Sequence, residues 1–335
     1  MRESIAIGGG APAGSETIPV SVKGRWVTAP VVRVNGQQIV IRGRWIKIAM
    51  LHDEDWVENE VFDPEACVRA LRKRDGGARA DIFCFSQKIP DIAPRYPHAM
   101  EMRSLAVAHV PSYEGWLSGL PCTTRQNIRR AGRRGAAIAV RGFDADVIQG
   151  ICEVQNETPV RQGRLFPHYG KSYEQVRIDH GAFVDRSDFI CATSGDEFIG
   201  FLKLVYRGGL ASILQMVTKT AHYEKRTANG LLAKAAELCA ERGISYLTYG
   251  EFNYGNKGDS SLREFKVRHG FSEMLTPRYY IPLTWWGELC VKARLYRGLH
   301  GFLPHGAITA GVNLRAKWYA RRQRERNPGD RASGA

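Results

Sequence analysis

The sequence predicts an α/β (α+β) protein of two consecutive units with mixed central sheets, followed by a basic helical C-terminal segment. Three observations predict this class. The chain has 335 residues, of which 44% are hydrophobic, and this is enough for two domains with buried cores. Strand-like and helix-like segments alternate along most of the chain. One run in the second half has the order strand, helix, strand, which joins two parallel strands by a crossover.

The first unit is expected at residues 21–150. Strand signals, with apolar side chains at alternate positions or in short runs, lie over residues 38–50, 81–87, 105–110 and 136–141. Helices are expected from the N-cap pair Asp63-Pro64, from a cap at Thr123 or Thr124 to Gly135, and over residues 144–157. This unit therefore mixes strands and helices from end to end.

The second unit is expected at residues 151–284, and its pattern is clearer. Two strands joined by the turn Ser194-Gly195-Asp196 form a hairpin, and a third strand follows them. A helix from about Thr227 to Arg242 has one apolar face, and the strand after it should lie parallel to the third strand. The strands are expected over residues 189–193, 198–206, 210–217, 244–249 and 279–283, with a short helix over residues 261–269.

The formal net charge of +14 is concentrated in two segments. Residues 121–141 carry six arginines and no acid, and residues 285–335 carry ten Lys or Arg against three acids. The rest of the chain is nearly neutral. We expect residues 285–325 to form a basic helical extension, and residues 1–20 and 326–335 to be loose tails because they lack apolar periodicity.

The cysteine and histidine patterns bear on compartment and metal content. Seven scattered cysteines without a CxxC pair indicate a reduced, cytoplasmic protein, with peripheral membrane association left open. The N-terminus has no signal-peptide pattern, and no window reaches the roughly 18 apolar residues of a membrane span. The histidines do not cluster, so we expect no metal site.

The run YEKRTANGLLAKAAELCAERGISYLTYGEFNYG, followed by SLREFKVRHGF, resembles the core of GNAT acyltransferases. The order of elements over about residues 185–284 supports the resemblance. The length, the α/β first half and Phe265-Lys266 before Gly270-Phe271 are similar to the FemAB-type peptidyltransferases, which are double-GNAT enzymes that add amino acids from aminoacyl-tRNA to cell-wall precursors. The resemblance implies tandem GNAT-like domains, aminoacyl or acyl transfer, and no tightly bound cofactor.

The donor site implied by the resemblance lies at the start of the second unit's long helix. Ordinary GNAT enzymes bind the coenzyme A pyrophosphate there on glycine-rich backbone. Arg226 and Ala228 occupy the two glycine-type positions, and the bulk of Arg226 favours aminoacyl-tRNA over acyl-CoA as the donor. The donor-binding residues expected from this alignment are Gln215, Val217, His222, Lys225, Arg226 and Asn229.

Three residues are expected to carry the chemistry. Lys266 stands where the family has a tyrosine that protonates the leaving group, and its charge suits an ester oxyanion. Glu251 follows the strand over residues 244–249 and is the carboxylate best placed to deprotonate an amine, because ligands of α/β sheets lie at the carboxyl ends of strands. Tyr249 is the third catalytic candidate, and Asn253 and Tyr254 can bind substrate. The alternatives are a solvated Lys266 and a Glu251 that only caps a turn.

A polar and aromatic loop between the two halves is the candidate acceptor site. Its members are Arg161, Arg164, His168, Tyr169 and Lys171. Loops carry binding functions more often than their share, and cations there can hold phosphates of an anionic acceptor. The alternative is an interdomain linker whose charges face water.

Three functions remain open on the sequence alone. The first is aminoacyl or acyl transfer to an amine of an envelope, polysaccharide or secondary-metabolite precursor. The second is acyl-CoA-dependent N-acylation in exopolysaccharide assembly. The third is a non-catalytic GNAT-like module that binds RNA or membrane. The arginine stripe of Arg125, Arg129 and Arg133 fits tRNA or another anion, and the aromatic, basic segment 285–325 fits a membrane surface.

Overall fold

A computed structural model describes residues 16–22, 25–55, 60–73, 79–161, 164–253 and 261–297. Its centre is one mixed sheet of twelve strands, with the spatial order β1-β2-β3-β4-β5-β14-β6-β13-β12-β11-β10-β7. The sheet strands are β1 Thr17–Val22, β2 Arg25–Val34, β3 Gln37–Arg42, β4 Ile48–Leu51, β5 Ile82–Ser86, β6 Ala99–His109, β7 Ala137–Arg141, β10 Ser187–Ser194, β11 Glu197–Arg207, β12 Leu210–Thr218, β13 Tyr246–Glu251 and β14 Phe271–Pro282. A separate hairpin pairs β8 Val160–Arg161 with β9 Arg164–Leu165.

The helices pack on both faces of the sheet. They are α1 Pro64–Lys73, α2 Tyr113–Gly119, α3 Cys122–Arg133, α4 Ala145–Asn156, α5 Tyr173–His180, α6 Thr227–Glu241, α7 Ser261–Arg268 and α8 Trp285–Lys292. Short 3-10 helices span Val184–Arg186, Thr220–Lys225 and Leu295–Arg297. The α/β (α+β) prediction with mixed sheets is confirmed.

The first half of the sheet is an antiparallel run from β1 to β4, closed by the parallel pair β4 and β5 with α1 between them. Asp63 caps α1 as predicted, since its Oδ1 accepts a hydrogen bond from the Ala66 N–H at 2.8 Å. The expected loose tail 1–20 is wrong at its end, because β1 begins at Thr17 and pairs along its length with β2.

The second half contains the predicted crossover. β10, β11 and β12 are antiparallel neighbours, and β13 lies parallel to β12 after α6. Asp144 caps α4 as its N-cap, with Oδ1 accepting from the Val147 N–H at 2.9 Å. The predicted cap of α3 at Thr123 or Thr124 is wrong. Its N-cap is Pro121, which offers no side-chain acceptor, so both threonines lie inside the first turn.

The two halves share the sheet through β14. This strand pairs with β5 on one side and β6 on the other, and β6 pairs in turn with β13. At the far edge, β7 pairs with β10. Strand pairing therefore crosses residue 150, and the division into units 21–150 and 151–284 stays a prediction.

β14 begins at Phe271, eight residues before the predicted start at Tyr279. Pro277 obscured the strand signal, since proline lacks the N–H that a central strand normally donates. The position is nevertheless used, because the Pro277 carbonyl accepts a hydrogen bond from the Gln87 N–H at 2.9 Å.

The alternation of side chains on β5 and β14 places two helices on opposite faces. Phe83, Phe85 and Tyr279 pack with α1, whereas Ile82 and Tyr280 pack with the side of α8 that carries the buried Cys290. In the second half α6 and α4 likewise cover opposite faces. The basic extension expected at 285–325 begins with α8, and its residues beyond Arg297 lie outside the described part.

The two crossovers point in opposite directions. Following the pairings from β13 through β6 and β14 to β5 shows that β5 is antiparallel to β13. The carboxyl end of β13 and the carboxyl end of β5 therefore lie at opposite ends of the sheet, measured along the strands.

Candidate active site

The parallel strands β12 and β13 separate at their carboxyl ends. They pair only from Leu210 to Ser212 on β12, and beyond that point the ladder stops although both strands continue. Between β11 and β12, Lys203 pairs with Gln215 and Leu204 with Ile213, so Leu214 has no partner in the ladder. Such a bulge leaves a residue outside the regular ladder. The sheet is thus open where the donor was expected.

A cavity of about 700 Å³ lies beside this opening. The first turns of α3 and α6 contribute to its wall, and neither contains an acidic residue. Helix N-termini carry partial positive charge and exposed N–H groups, so the wall favours an anion. Its lining residues are Thr123, Thr124, Asn127, Thr218, His222, Tyr223, Arg226, Thr227, Ala228, Asn229, Ser261, Glu264, Phe265, Arg268 and His269.

Arg226 is the N-cap of α6 and has φ +55° and ψ +32°. This left-handed conformation favours glycine, which explains why the alignment places a family glycine here. The guanidinium carbon of Arg226 lies 4.8 Å from the centre of the Tyr223 ring. Its Nε is buried and has no hydrogen-bond partner among the described residues. The position thus brings a cation to the cavity wall.

Asn229 and His269 form a buried polar contact at the same wall. Asn229 Oδ1 lies 3.1 Å from His269 Nε2, and the Phe265 carbonyl oxygen lies 2.7 Å from His269 Nδ1. Burial lowers the pKa of His269 to about 4, so the ring is neutral at pH 7. Sequence reasoning missed His269. The available signal was its place one residue before Gly270 and three after Lys266.

The three predicted catalytic residues lie together. Lys266 is fully buried, and its Nζ donates a hydrogen bond to the Glu251 carbonyl oxygen at 2.6 Å. The same Nζ lies 4.7 Å from the centre of the Tyr249 ring. Burial lowers the pKa of Lys266 to about 8, although the nearby Glu251 charge opposes this effect. The alternative of a solvated Lys266 is wrong.

A second bulge shapes this cluster. Thr248 pairs with Val107 and Glu251 with Leu105, so Tyr249 and Gly250 together oppose one residue of β6. Gly250 has φ +57°, which a side chain would disfavour. The bulge turns the end of β13 toward α7. The cluster itself lies behind the part of the cavity wall to which Phe265 of α7 and the following His269 contribute.

The predicted acceptor loop is tied to the protein's own groups. The Arg161 guanidinium donates to the Glu157 carboxylate at 3.0 Å and to the Thr218 carbonyl oxygen at 2.7 Å. Lys171 Nζ pairs with Asp179 and lies 3.0 Å from His168 Nδ1. Burial first, and Lys171 second, lower the pKa of His168 to about 4. These cations support the loop, and a phosphate would have to displace their carboxylates.

The other predicted binding residues are dispersed. Lys225 donates to the Arg134 carbonyl oxygen, and His222 pairs with Glu197. Among the predicted donor ligands His222, Arg226 and Asn229 line the cavity, while Gln215 accepts from Gln155 and Val217 packs in the core. Asn253 donates to Glu273 at 2.9 Å, and Tyr169 is exposed. Tyr254 and the Arg164 side chain lie outside the described residues.

A second cavity, of about 320 Å³, lies near the carboxyl end of β5, at the opposite end of the strands from the first cavity. Lys88 and Arg207 are its cations, and Ser245 and Tyr246 also line it. Arg207 is 9% exposed, and its Nε has no partner within the described ranges. Burial, and secondarily the charge of Arg207, lower the pKa of Lys88 to about 7. Two cations thus meet at one concave surface.

The basic stripe of α3 is on the surface. Arg129, Arg130, Arg133 and Arg134 are exposed, whereas the Thr124 side of the helix is buried toward the first cavity. One helix therefore presents a cavity wall on one side and a cationic face on another. Among the described residues, no group of three or more His, Cys, Asp or Glu could hold a metal ion. In the same part of the chain, no helix has the length and apolarity needed to span a bilayer.

Comparison with known proteins supports the fold but no closer relationship. No protein-family model matches the sequence, and no curated protein matches it. The structure is similar to that of FemX, with a TM-score of 0.57 at 10% identity, over 85% of this chain and 90% of FemX. It is also similar to L-PGS from Bacillus licheniformis, with a TM-score of 0.52 at 15% identity, over 82% and 90% of the two chains. The predicted FemAB-like double-GNAT architecture is therefore confirmed at the level of the fold.

Proposed function

We propose that this chain, with its FemAB-like double-GNAT fold, is a transferase that moves an aminoacyl or acyl group to an amine of an anionic acceptor. One observation carries the proposal. The Tyr249, Glu251 and Lys266 cluster lies at the carboxyl end of β13, beside an anion-favouring cavity at the start of α6. A site for a donor phosphate and a residue that could accept a proton, Glu251, would thus lie near each other.

The chemistry follows from the two bonds exchanged. The amine nitrogen attacks the carbonyl carbon of the donor ester or thioester, a C–N bond forms, and the C–O or C–S bond breaks. The amine must be neutral, and an ordinary alkylamine has a pKa of about 10.4. Glu251 would accept its proton, and the leaving group would take a proton in turn. Lys266 would hold the end of β13 in place and favour the anionic transition state by its charge.

Aminoacyl-tRNA is the donor we favour. Arg226 places a guanidinium where a family glycine would leave space for the pyrophosphate of coenzyme A. The exposed arginines lie on another face of α3, the helix that contributes to this cavity wall, and can neutralise phosphates of a nucleic acid. Acyl-CoA is the second candidate, because two helix N-termini without acids can also bind a pyrophosphate.

The acceptor is proposed to be anionic because of the second cavity, which lies at the opposite end of β13 from Glu251 and so requires an acceptor long enough to reach both. The charges of Glu54, Asp55 and Glu60 oppose the lowering of the Lys88 pKa, but burial and Arg207 still lower it. A phosphate or carboxylate of the acceptor in this cavity would further favour the charged lysine. Precursors of the envelope, of polysaccharides or of secondary metabolites that carry both an amine and an anionic group have this chemistry.

The first experiment identifies the donor. The full chain is purified under native conditions, and co-purifying tRNA and coenzyme A are quantified by mass spectrometry. Labelled aminoacyl-tRNA and labelled acetyl-CoA are then each supplied with a crude precursor extract. Transfer of label from aminoacyl-tRNA alone supports the favoured donor, and transfer from acetyl-CoA alone selects the second. No transfer from either, with retained RNA binding, would select the non-catalytic module.

The second experiment tests the base. Glu251→Gln keeps the size of the side chain but removes the proton acceptor, so we expect the transfer rate to fall about 100-fold. Glu174→Gln is the control, because Glu174 is exposed on α5 and pairs with Arg177 one turn away. An unchanged rate in Glu251→Gln would show that another group accepts the proton.

A further inference from the structure

The start of α8 and the loop between β3 and β4 form one exposed aromatic surface. Trp45 is 84% exposed, Trp285 is 74% exposed and Leu289 is 48% exposed. Trp285 and Leu289 are four residues apart and share one face of α8. We call these three residues the tryptophan patch. Large exposed apolar groups that lie together mark interaction surfaces more often than isolated ones do.

Trp286 joins the two halves of the patch. Its indole Nε1 donates to the Trp45 carbonyl oxygen at 3.2 Å, and its ring centre lies 6.0 Å from that of Trp285. Trp286 itself packs into the core with Ile46 and Cys290. The backbone of Trp45 and the start of α8 are therefore neighbours, although about 240 residues separate them in sequence.

Asp81 fixes the geometry of the patch. Its Oδ2 accepts from the Lys47 N–H at 2.9 Å, and its Oδ1 accepts from the Thr284 hydroxyl at 3.0 Å. The Thr284 hydroxyl also caps α8 by accepting from the Gly287 N–H. A side chain at Gly287 would collide with the Asp81 carbonyl, so the helix can approach this closely only with glycine. The patch is thus held by buried contacts and does not depend on a flexible loop.

The surroundings of the patch are cationic. Arg44 and Lys47 flank Trp45 and are exposed, and Lys292 is exposed on α8 beside its partner Glu288. The chain continues past α8 for 38 residues beyond Arg297, and that sequence adds seven Lys or Arg against two acids. Tryptophan together with Lys and Arg is the composition that proteins use at the boundary between water and an anionic bilayer.

We infer that the tryptophan patch docks on the surface of an anionic lipid bilayer. The indoles of Trp45 and Trp285 enter the headgroup region, Leu289 adds apolar contact, and the surrounding cations are attracted to the lipid charge. This inference is independent of the donor and of the catalytic residues. It adds Trp45, from the first half of the chain, to the membrane contact that the sequence suggested only for residues 285–325.

Vesicle flotation of the full chain tests the inference. Vesicles of phosphatidylcholine with about one third phosphatidylglycerol are compared with vesicles of pure phosphatidylcholine. We expect the wild type to bind the anionic vesicles, and this binding to weaken as the salt concentration is raised. In the double variant Trp45→Ala, Trp285→Ala the partition coefficient should fall by a factor on the order of ten or more. Brominated lipids should quench tryptophan fluorescence in the wild type more than in this variant.

Phe62→Ala is the matched control. Phe62 is 69% exposed, and it immediately precedes the segment that caps α1, on the opposite face of the sheet from α8. This variant should bind vesicles like the wild type. Equal binding by the double variant, or equal binding to neutral and anionic vesicles, would overturn the inference. A wild-type dimer that the double variant converts to a monomer in light scattering would instead assign the patch to a second copy of this chain.

Discussion

Replacing Lys266 by methionine should stabilise the protein at neutral pH while impairing transfer. Lys266 has no solvent-exposed surface, and burial lowers the pKa of its ammonium from 10.5 to about 8. At pH 7 the group is protonated in both the folded and the unfolded chain. The folded state therefore bears the cost of a buried charge, which is about 3 kcal/mol at 1.36 kcal/mol per pKa unit.

The net gain is smaller because the Lys266 ammonium also satisfies a carbonyl. Its Nζ donates to the Glu251 carbonyl oxygen at 2.6 Å, and loss of a buried hydrogen-bond partner costs on the order of 1 kcal/mol. Methionine has nearly the volume of the lysine stem and leaves little cavity. We expect the free energy of unfolding of Lys266→Met to exceed that of the wild type by about 2 kcal/mol at pH 7.

The pH dependence of the stability difference between wild type and variant tests whether the buried charge is its cause. Between pH 8 and pH 10.5 the unfolded chain binds more protons at Lys266 than the folded chain does. The stability of the wild type relative to the variant should therefore rise across this window, and the advantage of the variant should disappear by its upper end. Urea unfolding at pH 7, 8.5 and 10 measures this difference in the free energy of unfolding. Within the window we expect it to change by on the order of 1.4 kcal/mol per pH unit.

Lys203→Met is the matched control. Lys203 is also fully buried, burial lowers its pKa to about 8, and its Nζ donates to the His180 carbonyl oxygen at 2.7 Å. It lies against His180 and Phe189, whereas Lys266 lies against Tyr249 and Glu251. Both variants should show the same stability trend, and only Lys266→Met should lose transfer. A destabilised Lys266→Met with an unaltered pH dependence would refute the burial argument, and equal loss of transfer in both variants would refute the role of Lys266.

Three further predictions test the site and its packing. Arg226→Gly should relieve the left-handed backbone strain, open the wall of the first cavity, and raise the affinity for coenzyme A in calorimetry; an unchanged affinity would contradict the steric role of Arg226. His269→Gln should reduce the loss of stability that the wild type shows as the pH falls from 6.5 to 4, because folding lowers the pKa of His269 to about 4 and the unfolded chain binds more protons in this window. Chemical unfolding at pH 7 and pH 5 measures the difference in the free energy of unfolding. An unaltered pH dependence would speak against a buried neutral ring. Gly230→Ala should lower the free energy of unfolding by about 1 to 3 kcal/mol, since the added Cβ would collide with Ile138. Adding Ile138→Val should recover part of that loss. If the two substitutions have additive effects in urea unfolding, there is no direct clash.

The crossover β12-α6-β13 could be predicted because its signals are local. The apolar face of α6 and its end at Gly243 are set by residues near in sequence, and a right-handed crossover follows from chain geometry. The start of β14 could not be predicted, because a strand that carries Pro277 is normally excluded from a sheet interior. Its place between β5 and β6 depends on partners more than 160 residues away.

The candidate site shows the same division. Lys266 was predicted from the family resemblance, and Glu251 and Tyr249 from the carboxyl end of a strand; in the structure Lys266 contacts the Glu251 carbonyl oxygen and the Tyr249 ring. The acceptor loop was harder, because nothing in the sequence shows that Arg161 pairs with Glu157 while Lys171 pairs with Asp179. An arginine in a polar loop has the same local sequence whether it binds a ligand or a carboxylate of its own chain.

The two buried lysines show why a lowered pKa alone does not identify a site. Lys203 and Lys266 reach a pKa of about 8 by the same physical cause, which is burial. They differ in what surrounds them. Lys203 donates to carbonyl oxygens at the end of α5, whereas Lys266 holds the end of β13, where the sheet opens and α7 begins to line a cavity. A perturbed titration becomes evidence for catalysis only through such a position, since structural charges are perturbed by the same forces.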